Sequence, residues 1–129
     1  MQLTANQQLV LTTLQQADGP LGAYALLDRL REAGFSAPVQ VYRALERLAE
    51  QGLVHRLESL NAYVSCTHSE GCRHGLMAFA ICDECGHVDE FTDDGLGRCL
   101  GRWMKNNAFS LSSSTIELHG KCTACAEPQ

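Results

Sequence analysis

Two Cys-x-x-Cys pairs, Cys82/Cys85 and Cys122/Cys125, are the residues whose type and spacing most directly imply chemistry. Two intervening residues let both sulfurs of a pair grip one ion, and a second pair completes a tetrahedral four-thiolate site. With all four positions filled by protein, none stays open for catalysis, so the pattern predicts a structural zinc. The 36 residues between the pairs exceed the gap of a compact zinc ribbon, and the ion would staple distant segments. One Cys-x-x-Cys alone can be a redox motif; two pairs in one small chain are rarely accidental. Zinc-finger-type sites supply on the order of 10 kcal/mol of apparent binding energy, enough to decide whether a small domain folds.

A second group of potential ligands comprises His55, Cys66, His68, Cys72, His74, His87, Glu90 and His119. Cys66-Thr67-His68-Ser69-Glu70-Gly71-Cys72-Arg73-His74 packs four soft or borderline donors into nine residues, a density that favours a further metal site. Spacing does not choose among them. Mixed thiolate, imidazole and carboxylate donors suit zinc, whereas iron sensing more naturally uses imidazole and carboxylate.

The elements that must hold these residues follow from periodicity. Thr4-Ala5-Asn6-Gln7 has capping-box spacing. Val10, Leu11, Leu14 and Ala17 recur at helical spacing up to Asp18-Gly19-Pro20. A second run places Leu26, Leu27, Leu30 and Ala33 on one face, with Gly34 as its stop. A third begins at Ser36-Ala37-Pro38, a cap followed by proline, directs Val41, Leu45, Leu48 and Ala49 inward, and ends at Gly52. Leu53–Glu58 and Ala62–Ser65 read as two strands around Ser59-Leu60-Asn61. Three helices and a β-hairpin are the order of a winged helix, whose third helix can enter the major groove; the plainer alternative is a helical domain with a hairpin and no DNA role. Beyond the Cys/His-dense loop, Leu76–Ile81 and His87–Phe91 read as strands. Thr92 or Asp93 caps a helix carrying Leu96, Cys99, Leu100 and Trp103, and Ser114–His119 reads as a last strand. The expected fold is α+β: a winged-helix domain over residues 1–65, then a small α/β metal-binding domain over residues 66–129.

Composition bounds the function. The 129 residues are 45% hydrophobic and 19% charged, ordinary for a globular chain. No apolar run approaches the ~20 residues that cross a bilayer. Met1-Gln2-Leu3-Thr4-Ala5-Asn6 lacks a secretory signal's basic stretch and apolar core, so a cytoplasmic location is expected. There, seven cysteines read as ligands and thiols rather than a disulfide framework. The formal net charge is -5, but residues 1–65 hold five Lys/Arg against six Asp/Glu, nearly neutral. A local basic face in the first half is therefore compatible with DNA.

Several segments resemble the ferric-uptake-regulator family. Val41-Tyr42-Arg43-Ala44-Leu45 with Glu50-Gln51-Gly52-Leu53-Val54-His55 is similar to its recognition helix and the start of its wing. Ile81–Glu90 and Glu117–Cys125 resemble its zinc-staple segments. The resemblance covers nearly the whole chain in the family's order and fits the zinc-uptake branch best. The His-His-x-His run of the iron-sensing branch is not reproduced by Cys72-Arg73-His74. Gln40 stands where a threonine usually precedes Val-Tyr-Arg.

The resemblance implies a homodimer without enzymatic activity, with double-stranded operator DNA as partner and neither membrane nor small-molecule substrate. It implies one structural and one regulatory Zn²⁺ per subunit. The regulatory ligands would be His55, Cys66, His74 and Glu90, drawn from both halves, so that one ion fixes the angle between them. Tyr24, Gln40, Tyr42 and Arg43 are the expected DNA contacts, Arg43 on a guanine edge. The rival readings are a family sensor of iron, manganese or peroxide, a thiol redox switch using Cys72 and Cys99, and a metalloenzyme, for which neither an open coordination position nor a cleft is marked.

Overall fold

The computed structural model describes residues 2–66, 77–112 and 114–126. Its first three helices are α1 (Ala5–Gln16), α2 (Ala23–Leu30), continued by a 3-10 turn at Arg31–Ala33, and α3 (Pro38–Glu50). Thr4 caps α1 reciprocally: its hydroxyl accepts the Gln7 amide and the Gln7 side chain accepts the Thr4 amide, both at 3.1 Å. α3 starts differently from the expected serine cap. Ala37 is the cap residue, Pro38 opens the helix, and Gln40 Oε1 reaches back to the amides of Ser36 and Ala37 at 2.7 and 3.0 Å. Gln40 thus supplies the reach-back half of a capping box, while Ala37 has no side-chain oxygen to supply the other half.

Val10, Leu11 and Leu14 from α1, Leu26, Leu27 and Leu30 from α2, and Val41, Ala44, Leu45 and Leu48 from α3 form one buried cluster. Three expected members are not in it: Ala17 is the half-buried C-cap of α1, and Ala33 and Ala49 are exposed. Ala33 lies in the 3-10 turn, after which Gly34, at φ 107°, folds the chain back and buries Phe35 instead. Ala49 comes one residue after Leu48, turned about 100° from it and out of the buried stripe. Ala44, three residues after Val41, is buried with that stripe.

β1 (Val54–Leu57) and β2 (Ala62–Ser65) form an antiparallel hairpin with His55 opposite Val64. Leu21 bridges Tyr63 through two backbone hydrogen bonds, adding the short third edge of a wing. The Cys66 amide donates to the Leu53 carbonyl at 2.8 Å, so the hairpin closes where it began.

The chain divides into two compact units, Met1–Ser69 and Glu70–Gln129. In the second, β3 (Ala78–Cys82) is central, β4 (Val88–Phe91) pairs antiparallel to it, and β5 (Ile116–Gly120) pairs parallel, giving the order β4-β3-β5. β3 is the buried strand, with Ala78, Phe79, Ile81 and Cys82 all inside. Between β4 and β5 runs α4 (Asp94–Asn106), capped by Asp93, whose carboxylate accepts the Leu96 amide at 3.0 Å. None of the residues of α4 is buried, and Trp103 is 55% exposed beside Phe109.

Candidate metal centre and DNA-facing helix

β3 ends on Cys82, and the chain then turns tightly through Asp83–Cys85. The turn closes with the Gly86 amide donating to the Cys82 carbonyl at 3.0 Å, Gly86 standing at φ 79°, where a side chain would be strained. Because β5 runs parallel to β3 with Gly120 opposite Cys82, the chain leaves both strands at the same end of the sheet. Cys122 therefore arrives beside the first turn and begins a second, closed by the amides of Cys125 and Ala126 on the Cys122 carbonyl. The four sulfurs lie within 4.8 Å of one another, Cys85 and Cys122 at 3.7 Å. None of these four cysteines is in a disulfide. A tetrahedral zinc with bonds of ~2.3 Å places its sulfurs about 3.8 Å apart, so the cluster fits zinc.

The electrostatics of the cluster point the same way. Amides of Cys122 and then Cys85 aimed at the Cys82 sulfur lower its pKa to about 6. Cys125 is pushed up to about 12 by side-chain hydrogen bonding to the sulfurs of Cys122 and then Cys82, which favours its protonated form. Cys85, although the His87 amide pulls it down, is held above the ordinary value by Cys82 and Cys122. Four sulfurs this close cannot all ionise without a cation among them.

Of the regulatory candidates, His55 lies on β1 and Cys66 follows β2; both are half-buried, and a ring nitrogen of His55 lies within 4.8 Å of the Cys66 sulfur. The hairpin brings them together, because closing β2 onto β1 returns the chain to where β1 started. Cys66 is disulfide-bonded in this structure, so a ligand role belongs to its reduced thiolate. Glu90 is half-buried on β4, with Phe79 as its cross-strand partner. His68, Cys72 and His74 lie outside the described residues. His87 is exposed and bonded to Asp89 at 2.9 Å; His119 is exposed and bonded to Asp83 at 3.0 Å.

On the first unit, Tyr24 is 66% and Tyr42 43% exposed, and Arg43 is exposed on α3. Arg43 lines a shallow cleft together with Thr4, Asn6, Gln7, Gln40 and Arg47. Arg47 is absent from the residues singled out in the sequence, although its place one helical turn after Arg43 was the signal for it. Gln40 has its amide oxygen committed to the start of α3.

A winged-helix unit and a small α/β unit stapled through four thiolates are together the build of a metal-dependent DNA-binding regulator. The ferric uptake regulator family model matches residues 1–119, and the chain belongs to that family. It is 42% identical to the zinc uptake regulation protein of Escherichia coli over 128 residues, 98% of this chain and 74% of the relative. It is 31% identical to the zinc uptake regulation protein of Mycobacterium tuberculosis over 123 residues, 95% of this chain and 92% of the relative. Among solved structures, a zinc uptake regulator complexed with zinc and DNA matches at TM-score 0.88 and 40% identity, covering 96% of this chain and 83% of that one.

Proposed function

We propose that this protein is a zinc-responsive transcriptional repressor that binds operator DNA as a homodimer and controls zinc-uptake genes in the cytoplasm. The observation that carries the reading is the likeness, at TM-score 0.88 and 40% identity, to a zinc uptake regulator complexed with zinc and DNA. It acts as a regulator, not an enzyme. The thiolates of Cys82, Cys85, Cys122 and Cys125 hold a structural zinc, whose donors leave no position for substrate. A second, exchangeable zinc binds His55, reduced Cys66, His74 and Glu90; the closeness of His55 and Cys66 supports the first half of that set. His55 and Cys66 belong to one unit and Glu90 to the other, so this ion fixes the angle between the units. Arg43 and Tyr42 read the major groove, while Tyr24 and Gln40 contact the backbone or groove edge.

The first unit, Met1–Ser69, carries the winged helix, and the second, Glu70–Gln129, is the dimerisation unit. Apolar surface left uncovered on that unit supports this: Trp103, Phe109 and Leu118 are each more than half exposed. β5 also leaves one edge unpaired among the described strands. A twofold dimer sets two α3 helices for half-sites one DNA turn apart.

The test is operator binding by the reduced protein against buffered free Zn²⁺, Fe²⁺ and Mn²⁺. Zinc raises affinity roughly 5- to 150-fold, the usual span of such coupling. Equal activation by iron or manganese at lower free concentration overturns the zinc assignment in favour of another metal sensor. Control by oxidant with no zinc dependence makes the protein a thiol switch.

A further inference from the structure

We propose that two side-chain pairs, Asp83–His119 and Glu84–Lys121, clasp the two Cys-x-x-Cys turns together and position them for the structural zinc. Asp83 Oδ1 and His119 Nδ1 are 3.0 Å apart, and Glu84 Oε1 and Lys121 Nζ are 3.0 Å apart. Between them the Asp83 amide donates to the Gly120 carbonyl at 2.7 Å. The three contacts interlock. Residues 83 and 84, inside the first cysteine pair, meet residues 119, 120 and 121, which lead into the second.

Their place explains their use. The parallel register of β3 and β5 ends at Cys82 and Gly120. All four ligands lie at or past that end, where the ladder no longer fixes the chain. A contact spanning both turns holds them together where the strand pairing no longer does. His119 Nε2 also lies 3.9 Å from Glu117 Oε1, so a carboxylate stands near each ring nitrogen. Each pair is exposed by about half of its side-chain surface, so each contributes modestly, and the effect lies in the set.

This inference rests on the four-thiolate zinc reading. The experiment is transfer of zinc from the reduced, zinc-loaded protein to excess chromogenic chelator, followed with far-UV circular dichroism. Wild type shows a slow phase that Cys82→Ser abolishes; if no such phase exists, the four-thiolate reading itself fails. His119→Ala and Lys121→Met each speed that phase roughly two- to fivefold, and together roughly tenfold, with unchanged secondary structure. His119→Gln, which keeps a donor, and the exchange Glu84→Lys with Lys121→Glu restore the slow rate. Raising ionic strength speeds wild type but not Lys121→Met. A wild-type rate in the double variant overturns the proposal. Equally fast release from the Gln and exchange variants also overturns it, because packing alone would then account for the loss.

Discussion

At the scale of single residues, Cys66 and Arg43 carry the most consequential assignments. A thiolate biases a mixed site toward zinc over ferrous iron, so in the proposed regulatory site Cys66 is the ligand that would favour zinc. Cys66→Ser is expected to keep the slow-exchanging zinc and the fold while losing most zinc-dependent operator binding, measured by fluorescence anisotropy under reducing conditions. Cys72→Ser beside it checks the assignment: loss in Cys72→Ser with wild-type response in Cys66→Ser moves the ligand to Cys72. For DNA, Arg43→Ala should weaken operator binding by about 1–3 kcal/mol and relax preference at one base per half-site. Arg47, in the same cleft, is expected to act on phosphate instead. Arg47→Ala then lowers affinity alike on operator and random DNA and flattens the salt dependence. If the two patterns are exchanged, so are the two roles. Gln40 Oε1 serves the backbone at the start of α3, which leaves its amide nitrogen for the proposed DNA contact.

Among the elements, the paired turns at the end of β3 and after β5 are the ones expected to depend most on a ligand. The second unit's buried apolar set is short, Met77, Ala78, Phe79, Ile81 and Cys82 among the described residues, and α4 adds nothing buried. A core that small does not hold a domain without help. Cys82→Ser is therefore expected to lose one zinc per subunit and to melt the second unit or dissociate the dimer, read by metal content and thermal denaturation. A dimer of unchanged thermal stability would show that the zinc staple is dispensable. In the first unit the helices were legible from the sequence, because leucines at three- and four-residue spacing leave little choice of face. The Thr4 capping box was legible for the same reason: it is a local pattern. Ala33 and Ala49 were not, because both sit at helix ends, where winding changes or the stripe runs out of core.

For the molecule as a whole, the proposed switch is a linkage between zinc and DNA through the regulatory site. If zinc strengthens operator binding by a given factor, operator DNA must strengthen zinc binding at that site by the same factor. Competition with a zinc indicator, with and without operator, checks this; unequal factors would mean that zinc acts on something other than the DNA-binding conformation. The dimer belongs to this scale too. Trp103→Asp and Leu118→Asp place charge on the uncovered apolar surface of the second unit. Together they are expected to yield monomers by sedimentation and to reduce operator affinity. Persistent dimers would place the interface elsewhere.

The sequence by itself determined the order of the elements, the two cysteine pairs that meet in one cluster and the polar face of α3. All three are written in local spacing: 3.6-residue periodicity and two residues between cysteines. Tertiary structure alone decided what spacing cannot encode. The parallel pairing of β3 with β5 brings Cys82 and Cys122 together, and the interlocked Asp83–His119 and Glu84–Lys121 pairs join residues far apart in the chain. It also decided that α4 is only half-covered within one chain: Leu96, Leu100 and Met104 are half-buried while Trp103 stays exposed.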